Sequence, residues 1–405
     1  SGGCCKVSSA GYRILWTAPF VPYPPISGHC SKLFYLLREV AERHEVDLLC
    51  FVDDEPRENL APLERLCRRL IIRPSGLTLN LRNRFRGALS SLPLVVWTYQ
   101  NSAVRTSLRR RLRCENYDLV HVEGYFLGTC LAGIATPPRL IAPHDAFWRL
   151  YLEQLRRVAW PLKPFHAWEL YKIRRHEPAV YRSFDACVFC TAVDARSLSG
   201  REAGINTVVV SNGVELTEQE PRPALEDHPS LVFSGSYLYP PNEAAAWELV
   251  ERIAPPLRRR WPELKVYIVG NRPSARLVEA GRRDARNVIS GRVEVMADWI
   301  ARGSVYCSPL RRGAGFKNKV PEAWAMERPL VATPKTLEGI EFTPGREALV
   351  AETPDNLIRA CALLLENDSL RRRMGVAGRR LVEERYNWPR LARTLLKTYD
   401  ELVVD

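Results

Sequence analysis

The sequence predicts an α/β protein made of two doubly wound, Rossmann-like halves joined by a linker. Two stretches open alike: an apolar strand, a loop carrying glycine or proline, a helix, then a second apolar strand. One runs from Arg13 to Val52 and the other from Leu231 to Val269. Between the halves, Glu215 to Ser230 has little apolar periodicity and is rich in Glu and Pro, as a linker would be. A chain of 405 residues is long for one domain and comfortable for two, each with a sizeable core.

The first half begins with a strand at Arg13–Thr17, a proline-rich turn at Pro19–Pro25 and the pair Ser27-Gly28. A helix is expected from about Ser31 to Arg43 and a strand at Val46–Val52. Further strands are expected at Leu70–Arg73, Tyr117–Val122, Arg139–Ala142, Ala186–Cys190 and Val208–Val210. Glu123-Gly124 and His144-Asp145 follow two of them, where open parallel sheets gather ligand groups. Trp148–Arg182 reads as one long, largely helical stretch. In the second half, a helix from about Glu243 to Arg260 separates strands at Leu231–Phe233 and Lys265–Val269. The tail Leu357–Asp405 is helical, interrupted at Tyr386-Asn387-Trp388-Pro389. The expected boundaries are 1–214, a linker at 215–230, 231–385 and a final helical segment at 386–405.

Hydrophobic content of 46% and charged content of 26% fit a soluble globular protein. No apolar run approaches the roughly 18 residues of a membrane span, and no signal peptide is visible. The chain opens SGGCC without Met, which reads as a processed end or a cloning remnant. Eleven scattered cysteines, an odd number lying mostly in apolar runs, read as reduced thiols of a cytoplasmic protein. Cys187 and Cys190 have the spacing of a metal or redox pair but sit in an apparent strand with no second pair, which favours a structural role. The net charge of +13, from 59 Lys and Arg against 46 Asp and Glu, calls for an acidic partner. It is densest at Leu81–Arg86 and in the basic helix expected at Arg105–Arg113, which reads equally as a solvated face or an anionic membrane-surface patch.

The stretch Pro309–Thr333 carries the most chemistry. A strand end at Val305–Ser308 leads to a turn with Gly313 and Gly315, then a helix, then an apolar strand from about Pro329. Glycines let backbone approach a ligand closely, and N–H groups opening a helix favour phosphate. Lys317 and Lys319 add positive charge there. Glu322, less than one turn further on, has the carboxylate to hold a vicinal diol such as ribose. Phosphate and ribose together point to a nucleotide. The bland reading is an ordinary strand–loop–helix connection.

This segment resembles the donor-binding motif of the retaining glycosyltransferases of family 4, which have the GT-B fold. That motif has two glutamates with seven residues between them, the second followed by Ala, a helix and an apolar strand. Glu322, Ala323, Ala325 and Met326 match its second half, whereas Ala314 stands where the first glutamate would be. The likeness is to the branch in which a G-x-G turn replaces that glutamate. Other matching segments are Pro22-Tyr23-Pro24-Pro25 with Ser27-Gly28, Ser211-Asn212-Gly213-Val214 and Phe233-Ser234-Gly235. Pro241-Asn242, Val269-Gly270, Glu338-Gly339-Ile340 and Tyr386-Asn387-Trp388 complete the set. The resemblance implies two Rossmann-like domains facing a cleft, acceptor on the first and nucleotide sugar on the second, with a last helix crossing back.

It also implies roles. Gly28 would offer its N–H to the diphosphate, and Gly315, Phe316 and Lys317 would offer backbone amides to sugar or phosphate. Lys319 would offset charge on the departing nucleotide, and Glu322 would hold the ribose. Gly235, Ser236, Asn242, Gly270, Arg292, Gly313 and Ala314 fall at further donor-side positions. Ser236 and Asn242 stand where relatives carry a phosphate-clamping arginine and lysine, so neutralisation would fall to Lys317, Lys319, Arg311 or Arg312. Polar groups at strand ends make Glu123 and His144 the catalytic candidates beside Lys319, whereas mid-strand His121 reads as a core histidine. No metal or cofactor is expected, since lysines and amides stabilise phosphate and no His pairs at i, i+4 with a Glu.

The expected activity is transfer of a sugar, with retention, from a nucleotide-diphosphate sugar to a glycan, lipid-linked or small-molecule hydroxyl in polysaccharide biosynthesis. The expected location is cytoplasmic, peripheral at the inner face of a membrane. An epimerase of the same fold would need carboxylate acid–base pairs around the sugar. Ala314, Ser236 and Asn242 would also suit a nucleotide-sugar-binding protein without turnover. Nucleic acid is not favoured, because Arg105–Arg113 lacks interleaved aromatics.

Overall fold

The computed structural model describes residues 11–53, 59–76, 87–99, 102–199, 204–221 and 229–404. The basic segment Leu81–Arg86, Cys4, Cys5 and the 222–228 part of the linker segment lie outside these residues. The chain forms two compact units, 1–211 with 391–405, and 212–390.

The first unit is built on seven strands: β1 (Arg13–Ala18), β2 (Glu45–Phe51), β3 (Arg69–Arg73), β4 (Leu119–Glu123), β5 (Arg139–His144), β6 (Ala186–Phe189) and β7 (Thr207–Val209). They form one parallel sheet in the order β3-β2-β1-β4-β5-β6-β7. Helices on both faces make central strands almost wholly apolar, as in RILWTA of β1 and LVHVE of β4. The helix Gly28–Ala41 begins three residues earlier than expected, because Ser27 caps it by accepting from the Cys30 amide. The largely helical stretch expected at 148–182 comprises two helices, Phe147–Leu155 and Lys163–Tyr181, parted by a 3-10 turn at Trp160–Leu162. Pro161 and Pro164 each open a helical segment and cannot continue one from before.

The second unit has six strands: β8 (Ser230–Ser234), β9 (Lys265–Val269), β10 (Asn287–Gly291), β11 (Val305–Ser308), β12 (Leu330–Ala332) and β13 (Ala348–Val350). They too are parallel, in the order β10-β9-β8-β11-β12-β13. The helix expected at 243–260 starts at Pro240 and passes through a π turn at Leu249–Ile253 before Arg258. Pro255 and Pro256 lack the amides a continuous α-helix would need there, and the wider turn accommodates them.

The chain enters and leaves this unit side by side: Val214 bridges Asn387, and its amide donates to the Tyr386 carbonyl at 2.8 Å. The last helix, Trp388–Val404, then runs into the first unit. There Tyr399 is buried and its hydroxyl meets His121 Nδ1 at 2.5 Å. The basic helix is Ser102–Cys114, but not all of its arginines are available. Arg111 is bound to Asp47 and to the Tyr117 hydroxyl, and Arg105 donates to the Ala132 carbonyl at 2.5 Å.

Candidate active site

In the second unit the C-terminal ends of β8, β9 and β11 converge. The chain turns at Gly235 and Gly270 so tightly that a Cβ on Gly270 would lie 1.8 Å from the Gly235 carbonyl oxygen. Gly270 also has φ +140, so no other residue fits without moving backbone. We expect Gly270→Ala to destabilise this unit by about 3 kcal/mol or more, read as a lowered denaturation midpoint.

Next to that turn, Asn242 joins three segments. Its Nδ2 donates to the Ser236 carbonyl at 2.9 Å, and its Oδ1 accepts from Lys319 Nζ at 2.7 Å. The Lys319 ammonium also lies 4.1 Å from the centre of the Phe233 ring, and a Cβ on Gly235 would come within 3.0 Å of it. Gly235, Asn242 and Lys319 therefore pack together as one polar cluster. Burial lowers the Lys319 ammonium to about 7, with Glu322 opposing and Lys317 reinforcing the shift. Glu322, on the same helix (Lys319–Ala325), is pushed above the usual carboxylate range by burial, against the pull of Lys319.

The glycine turn packs beside this cluster. Gly313 has φ +111, and a Cβ there would meet the Tyr239 hydroxyl at 2.6 Å. Gly315 has φ +78, and its carbonyl accepts from the buried Lys317 ammonium. Ala314 is half-buried, and Phe316 lies beside Tyr386 with ring centres 6.0 Å apart. The helix is only seven residues long, and its Val320 and Glu322 amides already donate to Lys317 and Asn318 carbonyls. Lysine and asparagine side chains add polarity beside this helix end. Ser236 is exposed and contributes its carbonyl to Asn242. Arg292 is exposed after β10, and Arg311 is committed to Glu248 through Nε at 2.9 and 3.2 Å. Of the cations considered from sequence, Lys317 and Lys319 are those the fold gathers with Gly235 and Asn242.

The first unit holds a second polar cluster at the ends of β4, β5 and β6. Glu123 and His144 meet there, Oε2 to Nε2 at 2.7 Å, both buried. The other carboxylate oxygen accepts from Trp16 Nε1 at 2.9 Å. Burial alone would neutralise both groups, but each holds the other charged. Glu123 lies below the usual carboxylate range and His144 above the usual imidazole range. His144 sits at φ +68, an uncommon conformation that turns its ring toward Glu123. His121 is packed in the core, stacked on Trp16 at 4.1 Å. Gly28 opens the neighbouring helix, and the His29 ring meets the His144 ring edge-on at 4.8 Å.

Sequence models of two families match the chain: "Glycosyltransferase Family 4" over residues 33–218 and "Glycosyl transferases group 1" over 228–367. Each match falls on one of the two parallel-sheet units just described. The chain is a glycosyltransferase of the group 1 and family 4 type. The fold of this glycosyltransferase is GT-B, as its structural likenesses show. Sucrose-phosphate synthase from Thermosynechococcus elongatus matches 97% of this chain and 99% of its own, with TM-score 0.71 at 18% identity. HepE from Anabaena, in complex with UDP and glucose, matches 96% and 99%, with TM-score 0.65 at 13% identity. A glycosyltransferase from Rickettsia africae matches 97% and 99%, with TM-score 0.65 at 13% identity. Comparison with curated protein sequences gives no match.

Two further residues of this glycosyltransferase were given no place near the Glu123–His144 pair from sequence. Lys32 is buried, its ammonium 2.6 Å from the Val210 carbonyl and 3.1 Å from Cys190 Sγ. Cys190 Sγ in turn lies 3.9 Å from His144 Nδ1. Lys32 sits in an ordinary amphipathic helix, and the CxxC spacing of Cys190 pointed to a structural role, so neither signalled contact with this pair. Cys187, its partner in the CxxC spacing, donates to the Tyr181 carbonyl at 3.5 Å.

Proposed function

We propose that the protein transfers a sugar from a nucleoside-diphosphate sugar to a hydroxyl acceptor, with retention of anomeric configuration and without a metal ion. The acceptor class is a glycan, a lipid-linked glycan or a small molecule. The observation that carries this reading is the convergence of Lys319, Asn242, Gly235 and Gly270, with Glu322 on the next helical turn. Glu322 would take the ribose hydroxyls. The two tight glycine turns would admit the diphosphate close to backbone, and Lys319 would balance its charge as the bond to the sugar breaks.

In a retaining displacement on one face, the departing phosphate can accept the acceptor's proton. Glu123 suits that scheme: a carboxylate held ionised by His144 is a weak proton acceptor, so its contribution is to keep His144 charged and oriented. The Anabaena relative was solved with UDP-glucose, which makes a uridine diphosphate sugar the first donor to try.

Incubation with a panel of nucleotide sugars in the presence of EDTA tests the reading. Release of free nucleoside diphosphate, with the sugar appearing on an acceptor in its original anomeric form, is the expected result. A changed sugar still attached to its nucleotide would mean epimerisation. Binding without turnover of any donor would mean a silent binding protein.

A further inference from the structure

The helix Lys163–Tyr181 is aromatic on the side where a surface helix usually presents polar groups. Its inner side is occupied. Glu169 and Lys172 are buried and ion-paired. Glu169 accepts from the Leu94 amide at 2.7 Å, and Lys172 donates to the Ser90 carbonyl at 3.3 Å. The outer side carries Phe165, Trp168 and Tyr171 at three-residue spacing, 37%, 50% and 49% exposed. Trp168 and Tyr171 stack with ring centres 5.3 Å apart. Trp160 and Leu162, 77% and 57% exposed, project from the 3-10 turn that precedes the helix. Scattered exposed apolar residues are ordinary, but five large ones between 160 and 171 make a patch that asks for an occupant.

The charge around the patch is predominantly positive, with Glu153 paired to Arg156 at its edge. Arg156, Arg157, Lys163, Arg174 and Arg175 are exposed around it. Between Gln154 and His176 the sole acidic residue is Glu169, already neutralised by Lys172. A second copy seated on the same face would set these cations against themselves, since a two-fold contact is self-complementary. An interface of water, apolar chains and phosphate satisfies both features, with amphipathic rings at headgroup level and cations among anions. Among the described residues no helix is long and apolar enough to cross a membrane, so the surface would lie on the bilayer.

We propose that this face docks on an anionic phospholipid surface, with Trp160, Leu162, Phe165 and Trp168 entering the headgroup–acyl boundary. The inference stands apart from the donor site and from the transfer reaction. It also places membrane contact on a different element from the basic helix Ser102–Cys114, two of whose arginines are engaged within the fold.

Cosedimentation of the full chain with vesicles tests it, comparing phosphatidylcholine alone with phosphatidylcholine mixed with phosphatidylglycerol. The wild type should bind only the mixed vesicles and be released as salt rises. The variant Trp160→Ser/Leu162→Ser/Trp168→Ser should lose at least about tenfold in partitioning, as expected when buried apolar area is removed. Arg157→Glu/Lys163→Glu should also release the protein while leaving its thermal midpoint unchanged. Wild-type protein that binds neither vesicle, or a triple variant that binds as well as wild type, would overturn the proposal. So would a wild-type dimer in sedimentation velocity that the triple variant converts to monomer, since a second copy would then be the occupant.

Discussion

Lys319→Ala is expected to lower kcat by about a hundred- to thousandfold, the range seen when one preorganised donor to a developing charge is removed. The folded protein should survive the change, because its neighbours Asn242 and Gly235 keep their backbone partners. The same lysine should make binding pH-dependent. In the free protein its ammonium is lowered to about 7, chiefly by burial. A bound diphosphate favours the charged form and raises that value, so a proton is taken up on binding. Affinity should therefore be level below about pH 7 and fall as pH rises above it. Titrations of a nucleoside diphosphate across this range, repeated on Lys319→Ala, should show the slope in the wild type alone. An equal slope in the variant would assign the proton to another group.

Glu123→Gln is expected to produce the largest change in stability. It removes the counter-charge from a buried imidazolium, and breaking a buried pair from one side costs about 3–5 kcal/mol. The sign of the pH dependence follows from the shifts. The His144 value is raised in the folded state, so its contribution is fully present below the ordinary imidazole value of 6.5 and lost as pH rises through the raised one. The Glu123 value is depressed, so its contribution is present above the ordinary carboxylate value of 4.5 and lost only as pH falls through the depressed one. Wild-type stability should thus be greatest between those ordinary values and decline on the alkaline side. In Glu123→Gln the alkaline decline should shrink, because the carboxylate that does most to raise the His144 value is gone. Denaturation midpoints measured from acid to alkaline pH would show this, and an unchanged alkaline decline would mean that another group causes it.

Much of this architecture was legible because parallel strands covered on both faces must be apolar throughout. LKVYIV before Gly270 and VYCS before Pro309 each appear where the sequence puts a strand. The strands β10 and β13 were not legible. They lie at the two edges of their sheet, and NVISG and ALV are short and partly exposed. Proline explains the breaks within the expected helical stretches: Pro161 with Pro164 divides one, and Pro255 with Pro256 widens another. Gly313, Gly315, Lys319 and Glu322 were visible as a local motif. The link from Lys319 to Asn242, 77 positions away, was not, because it depends on β8 lying beside β11 in the sheet. Likewise nothing in sequence signals that Lys32 and Cys190 reach the Glu123–His144 pair, since four separate segments must fold before they meet.

The most direct measurement is the affinity of a nucleoside diphosphate against its 2′-deoxy counterpart, by calorimetry with EDTA present, on wild type and Glu322→Ala. If Glu322 holds the ribose, the wild type should prefer the ribonucleotide by about ten- to a hundredfold, the value of a hydrogen bond to a charged group. Glu322→Ala should bind both forms equally and weakly. A variant that still discriminates between them, or a wild type that never does, would contradict nucleotide binding at the mouth of this second unit.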